Sequence, residues 1–492
     1  MFFVATILGT AQMLTEIIIE NYQMAFFKSK KLFCIFISLL ANIGLAGDGV
    51  SNDAKPNFVF IIADDCTFDD IGCYGGQAKT PHIDQLAKEG MLFKRCFQTA
   101  PMCSPTRHNI YTGLYPVKSG AYPNHAFAKP GTQSVCHFLG DRGYRVALSG
   151  KTHIAPKTVF PFEYSASGKN PNFAAIEKLF DECKESKDPF CLFVCSNEPH
   201  SPWNKGDSSA YPPNEIKLPK SFVDTPETRN AFSKYLAEVT FYDQQVGRVL
   251  SLLDKKGLEK NTVVMVTTEQ GNSFPFAKWT LYDAGLQTAL IARWPGKIRA
   301  NSASDAMVEY VDILPTMLEI AGLKQEPSLD GKSFLRVLQG KADSHKSVVY
   351  GLMTTKGTIN SPKYYGSRSI RDDQYKLIWN FTPEITLTNA CTNSGSFQSW
   401  VRKASTGDAD AAAKVSRYQN RPLIELYDVR NDPKEAKNLA GSSKHAARIE
   451  SMKIKLQQWM NAQGDLGQET ELAANEHQQS WARKKPGNGK KR

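Results

Sequence analysis

The chain has 492 residues, 41% of them hydrophobic, 11% aromatic and 22% charged, with 34 glycines and 26 prolines. These proportions exclude a disordered, collagen-like or low-complexity protein, and the length leaves room for roughly three domains around a large core. Six of the eleven net positive charges sit in the last ten residues, Arg483 to Arg492, so the body is only mildly basic. With no recognisable binding motif beside that tail, nucleic acid is not expected as a partner.

Lys28, Lys30 and Lys31, the apolar run from Leu32 to Leu45, and the small residues Gly44 and Ala46 compose a secretory signal peptide. The run is shorter than the roughly 20 residues of a spanning helix, so no stable membrane span is expected once the leader is cleaved. Met24 is the expected true start, and export to a periplasm or beyond the expected destination; an uncleaved anchor is the alternative. Nine cysteines follow the leader, none in a CxxC pair, which gives no support to a zinc ribbon or redox motif. An odd number in an exported protein asks for one unpaired cysteine with a task.

Asn57 to Ala63 is an apolar run ending in Asp64-Asp65, the pattern of a buried parallel strand. Thr80-Pro81 opens a helix that Gly90 closes. Tyr144 to Ser149 reads as a strand leading into Gly150-Lys151-Thr152-His153, and Asn172 to Ser186 as a helix. Pro189 to Ser196 is a third strand, running into Asn197-Glu198-Pro199-His200. A long helix starts at Thr225-Pro226 and runs to about Lys256; Asn261 to Thr268 is a fourth strand, ending at Glu269-Gln270-Gly271, and Leu286 to Trp294 a fifth. From about Asp343 short strands (Ser347 to Met353, Lys376 to Phe381, Leu423 to Tyr427) and a helix near Lys444 to Asn461 replace this rhythm.

The pattern predicts an α/β fold: a large, mostly parallel sheet with helices on both faces, then a smaller antiparallel sheet with a helix. The expected boundaries are a leader at 1–46, a catalytic domain at 47–342, a smaller subdomain at 343–465 and a basic, disordered tail at 466–492. Ligands of such sheets bind beyond the carboxyl ends of the strands. Asp64, Asp65, Lys151, His153, His200, Glu269 and Gln270 all lie just past such ends.

The segment Met102-Cys103-Ser104-Pro105-Thr106-Arg107, with Thr112-Gly113 after it, resembles the signature of the type I sulfatases of the alkaline-phosphatase superfamily. The resemblance extends over nearly the whole mature chain, including Glu425 to Asp428, Asp432-Pro433 and Asn438-Leu439. Gly150 to Phe162 looks most like the heparan N-sulfatase (sulfamidase) branch. The resemblance implies that Cys103 is oxidised to formylglycine by a separate maturation enzyme, and that its hydrate is the nucleophile. It implies one Ca²⁺, or Mg²⁺, on Asp64, Asp65, Cys103, Glu269 and Gln270, a set of hard oxygen donors apart from position 103. Glu269-Gln270 departs from the usual Asp-Asn or Asp-His by one methylene in each side chain.

Cys103 is expected at the start of a helix, where free N–H groups favour an anion, with Arg107 one turn on. The resemblance makes Arg107 a brace for nucleophile and carboxylates, Lys151 a clamp on sulfate oxygens and His153 the base. His200 and Lys278 would touch the sulfate and protonate the leaving oxygen. Lys151 and His153, alternating past a strand end, are expected on one face. His82, His108, His125 and His137 are expected to be surface or structural, although His125 is placed to reach a sugar.

The function expected is hydrolysis of sulfate esters or sulfamates of sulfated carbohydrates, with heparin-type N-sulfate first and O-sulfated algal or host polysaccharides next. One rival is a phosphonate or phosphate monoester hydrolase of the same superfamily. The other is an inactive, secreted glycan-binding homologue.

Overall fold

The computed structural model describes residues 55–165 and 168–474; the expected leader and the residues beyond 474 lie outside them. The main sheet contains β1 (Asn57–Ala63), β2 (Met91–Phe97), β3 (Arg145–Gly150), β4 (Glu163–Tyr164), β5 (Phe190–Cys195), β6 (Thr262–Thr268), β7 (Gln287–Arg293), β8 (Ser302–Ser304) and β9 (Val308–Glu309). Its order is β4-β3-β5-β1-β6-β7-β2-β8, with β9 also on β2. The stretch from β4 through β6 is parallel throughout, and β7 runs antiparallel to both β6 and β2. The sheet is therefore mixed and mostly parallel.

β1 is central and buried along its whole length. Its side chains alternate between two cores: Val59, Ile61 and Ala63 join one cluster, Phe58, Phe60 and Ile62 the other. The first cluster is closed by the long helix Pro226–Lys256 through Leu236, Val239 and Val246; the second by Ile313, Leu314 and Met317 of the helix Ile313–Ile320. Covering both faces is what lets β1, β3, β5 and β6 read as continuous apolar runs.

The smaller sheet has four antiparallel strands, in the order β10 (Val349–Thr354), β11 (Gly366–Arg371), β12 (Tyr375–Asn380) and β13 (Ile424–Asp428). Leu352, Ile370, Leu377 and Leu426 pack there with Met452, Leu456 and Trp459 of the helix Ala446–Gln463. β11 was not anticipated, because its sequence GSRSIR is polar. It is nevertheless fully buried, since the Arg368 guanidinium is matched by Asp465 and Glu471.

That pairing also corrects the start of the expected tail. Residues 468–474 are helical and Glu471 is buried against Arg368, so the ordered chain passes 466. The helices Gly395–Ser405 and Ala409–Gln419 were likewise unforeseen; the first sits against the long helix, where Trp400 Nε1 donates to Thr228 Oγ1 at 2.8 Å, and the second packs on the first. The nine described cysteines are all unbridged, not one alone, and all but Cys73 are buried. Among the described residues no helix is long and apolar enough to cross a membrane.

Candidate active site

The carboxyl ends of β3, β5, β1 and β6 lie side by side, and the chain keeps sheet-like contacts just past them. Lys151 N donates to Cys195 O at 2.9 Å, Asp64 N to Glu198 O at 3.1 Å and Glu269 N to Ala63 O at 3.0 Å. Gly150 makes the first of these possible: its φ is +100°, and a Cβ there would lie 2.0 Å from Cys195 O. Asp65, with φ +60°, takes a left-handed turn that aspartate tolerates better than most residues.

Above this edge lies the N-terminus of the helix Cys103–Thr112, closed by Gly113 at φ +64°. Pro105 falls in the first turn, where its missing N–H costs nothing. Cys103 Sγ is 3.3 Å from Asp64 Oδ1 and 3.4 Å from Gln270 Nε2. Gln270 Nε2 also donates to Asp65 Oδ1 at 2.6 Å. One turn along, Arg107 Nε donates to Glu269 Oε1 at 2.5 Å and Nη1 to the Lys151 carbonyl at 2.9 Å. Lys151 Nζ pairs with Asp64 Oδ2, and Lys278 Nζ donates to Asp65 Oδ2 at 2.7 Å. His200 Nε2 is 3.7 Å from Asp65 Oδ2. Residues 64, 65, 103, 107, 151, 200, 269, 270 and 278 thus form one connected cluster of contacts.

His153 reaches the same place by a different route from the one expected. Its φ is +49°, so the segment is not extended; Lys151 points down to Asp64 while His153 Nε2 meets His125 Nδ1 at 2.6 Å. His125 is therefore part of the site and not a bystander. Its signal was invisible locally, because the partner lies 28 residues away, beyond a helix and the strand β3.

Three carboxylates (Asp64, Asp65, Glu269) face three cations (Arg107, Lys151, Lys278), nearly all of it out of water. Burial pulls Lys151 down to about 8, with the nearby Lys278 and Lys169 charges adding to the fall against Glu269. Burial also works against the Lys278 charge, but the Asp65 carboxylate outweighs it and holds the ammonium above its ordinary range. Asp65 pulls His200 up, yet burial together with Lys278 and Lys151 prevails, and the imidazole is neutral at pH 7. Burial, then Lys151 and His125, pushes His153 far down, so it too is neutral. The Cys103 thiol is pushed up to about 12 by burial, which leaves little thiolate at neutral pH.

Several buried polar atoms in the cluster have no protein partner: Arg107 Nη2, Glu269 Oε2, Gln270 Oε1 and His153 Nδ1. Unpaired acceptors beside Asp64 and Asp65 fit a hard divalent cation. Ligand atoms of Asp64, Cys103 and His200 also lie within 4.8 Å of one another, a second way to hold an ion. The cluster floors a cavity of about 780 Å³, whose wall includes Lys157, Tyr164, Lys169, Trp279 and Ile359.

Residues 56–323, more than half of the chain, match the family description Sulfatase, and residues 271–389 match the N-sulphoglucosamine sulphohydrolase C-terminal region. The chain belongs to the sulfatase family. The sulfatase is accordingly a sulfuric ester hydrolase. It is 33% identical over 425 residues to the ulvan-active sulfatase of Formosa agariphila, covering 84% of this chain and 81% of that protein. To the human N-sulphoglucosamine sulphohydrolase it is 28% identical over 466 residues, covering 82% and 90%. The solved structure of BT4656 in complex with its substrate D-glucosamine-2-N,6-O-disulfate shares the fold, with a TM-score of 0.63 at 19% identity, over 84% of this chain and 99% of that one.

Proposed function

We propose that this sulfatase is exported and hydrolyses sulfate esters or sulfamates of sulfated carbohydrates, through formylglycine derived from Cys103 and a divalent cation. The observation that carries the reading is the placement of Cys103: at a helix N-terminus, against Asp64 and Gln270, in the floor of a cavity whose titratable walls are basic. As an unmodified thiol with its ionisation suppressed by burial, Cys103 would be a poor nucleophile. A hydrated aldehyde supplies a hydroxyl to attack sulfur and a second one whose collapse releases sulfate. The cation, calcium by preference for oxygen donors, would be held by Asp64, Asp65, Glu269 and Gln270, and would neutralise charge on the sulfate.

The chain's own residues supply the rest. Lys151 and Lys278 bind the non-bridging sulfate oxygens, which draws each partly away from its carboxylate. Lys278, kept charged by Asp65, delivers a proton to the leaving oxygen or nitrogen, and neutral His200 lies beside it as a hydrogen-bonding partner of the sulfate. His153 is the acceptor, with Nδ1 unpartnered and the ring fixed by His125, and sulfate bound at Lys151 offsets the positive charge that helps to hold its basicity down. Arg107 locks Glu269 to the nucleophile helix. The N-sulphoglucosamine sulphohydrolase match at 271–389 supports N-sulfated glucosamine, and the ulvan-active relative supports O-sulfated polysaccharide. The leader around Lys28 to Ala46 supports export, and a formylglycine-generating enzyme is then the maturation partner.

The test joins mass and rate. The tryptic peptide Cys96 to Arg107 should carry an aldehyde at residue 103, and the enzyme should release sulfate from an aryl sulfate faster than phosphate from the matching aryl phosphate. Cys103→Ala should lower that rate by about 10⁴-fold or more with the fold unchanged. Full activity in this variant sinks the mechanism.

A further inference from the structure

The cavity above Cys103 is larger than one sulfate needs and lies within the size range of sites that enclose a whole small ligand. Its wall is one-sided in charge. Among the described residues no aspartate or glutamate lines it, whereas Lys151, Lys157, Lys169 and Lys278 do. Two of these are occupied: Lys151 is bound to Asp64 and Lys278 to Asp65. Lys157 and Lys169 have no carboxylate partner among the described residues, and both are exposed. They flank the edge strand β4 in sequence, and Tyr164 of that strand also lines the cavity, its ring centroid 5.7 Å from Lys157 Nζ. Trp279 and Ile359, the latter 69% exposed, add an apolar part to an otherwise polar wall. Two ammonium groups left unneutralised on the wall of a concave site give it a positive potential. The reacting sulfate engages the floor, so the side wall is free for something else of negative charge.

Resting on the sulfated-carbohydrate reading above, we propose that Lys157 and Lys169 form a second anion subsite, which selects substrates carrying another negative group on the same or the adjoining sugar. A carboxylate and a second sulfate share the needed chemistry: both accept charge-assisted hydrogen bonds from ammonium groups. Specificity then comes from the sugar's charge pattern, and the apolar side of the cavity meets the sugar ring.

The experiment compares three ligands: 6-O-sulfated N-acetylglucosamine, the glucosamine N,6-disulfate, and the 6-O-sulfated sugar joined to a uronic acid. Calorimetric affinities are measured in Cys103→Ala protein, with and without Lys157→Ala/Lys169→Ala, and sulfate release is measured in the active enzyme with and without the same pair. The preference for each doubly charged ligand over the singly charged one should fall by about tenfold or more when the two lysines are removed. A loss confined to the disulfate, or to the uronate, identifies which second anion the subsite takes. Lys187→Ala/Lys260→Ala removes the same charge from the opposite end of the sheet and should leave the preference intact. An equal preference before and after removal of Lys157 and Lys169, an equal loss in the remote pair, or no binding of any ligand overturns the subsite. Turnover of an aryl sulfate, which has no second anion, judges the sulfatase chemistry separately.

Discussion

Arg107 and Arg368 are both fully buried, and each joins carboxylates from a distant part of the chain, but they spend their donors differently. In the smaller sheet Arg368 grips Asp465 with Nε and Nη2, and Glu471 and the Ser367 carbonyl with Nη1, so every nitrogen is used. At the strand ends Arg107 leaves Nη2 idle, and its partner Glu269 leaves Oε2 idle. An unpaired buried polar group costs roughly 1–3 kcal/mol, so the second arrangement is the poorer one for folding. Its idle valences make sense in a place where another group has to be received. The satisfied pair closes the smaller sheet; the unsatisfied one lies under the cavity of the candidate site.

That contrast can be broken most sharply by removing the Arg107 pair altogether. The double substitution Arg107→Met/Glu269→Leu should cut sulfate release by about 10³-fold or more, losing both the brace and a candidate ligand. Thermal unfolding of the same protein should show stability unchanged or raised by about 1–4 kcal/mol. A large fall in stability would mean that the pair is structural after all. At the other arginine the effects should exchange places. Arg368→Met strands two buried carboxylates and should cost about 3–5 kcal/mol in denaturant unfolding, with the rate per folded molecule preserved.

The smallest effect concerns a buried carboxylate with no guanidinium at all. Asp70 accepts from the Tyr235 hydroxyl at 2.7 Å and Asn272 Nδ2 at 3.1 Å, and burial, aided by Asp69, holds it at about 7. Its folded value is raised, so the stability it lends is complete at low pH and drains away as pH climbs from about 4 through 7. Asp70→Asn has no charge to bury. Its melting temperature relative to the native protein should therefore rise across that window and level off above it. A difference independent of pH would show that Asp70 is ionised throughout.

Much of this was legible before any coordinates. The runs that become β1, β3, β5 and β6 are apolar on both faces, and their downstream residues are of the types a metal-assisted hydrolase needs, so both sheet and cluster could be anticipated. β2 was hidden by Lys94-Arg95 in its middle, and β11 by its polar residues, whose burial depends on Asp465 and Glu471 about a hundred positions away. His125 escaped for the same reason: its role is set by contact with His153 and not by its neighbours in sequence. The lysines of the cavity wall stand out only once the fold shows which of their fellows already have partners.

The unbridged thiols carry a practical consequence. With Cys66, Cys73, Cys96, Cys103, Cys136, Cys183, Cys191, Cys195 and Cys391 all unlinked, no covalent staple holds the described architecture together. Mild reductants can accompany the protein through purification without loosening it, and correct folding does not wait on an oxidising compartment or on the shuffling of mispaired sulfurs.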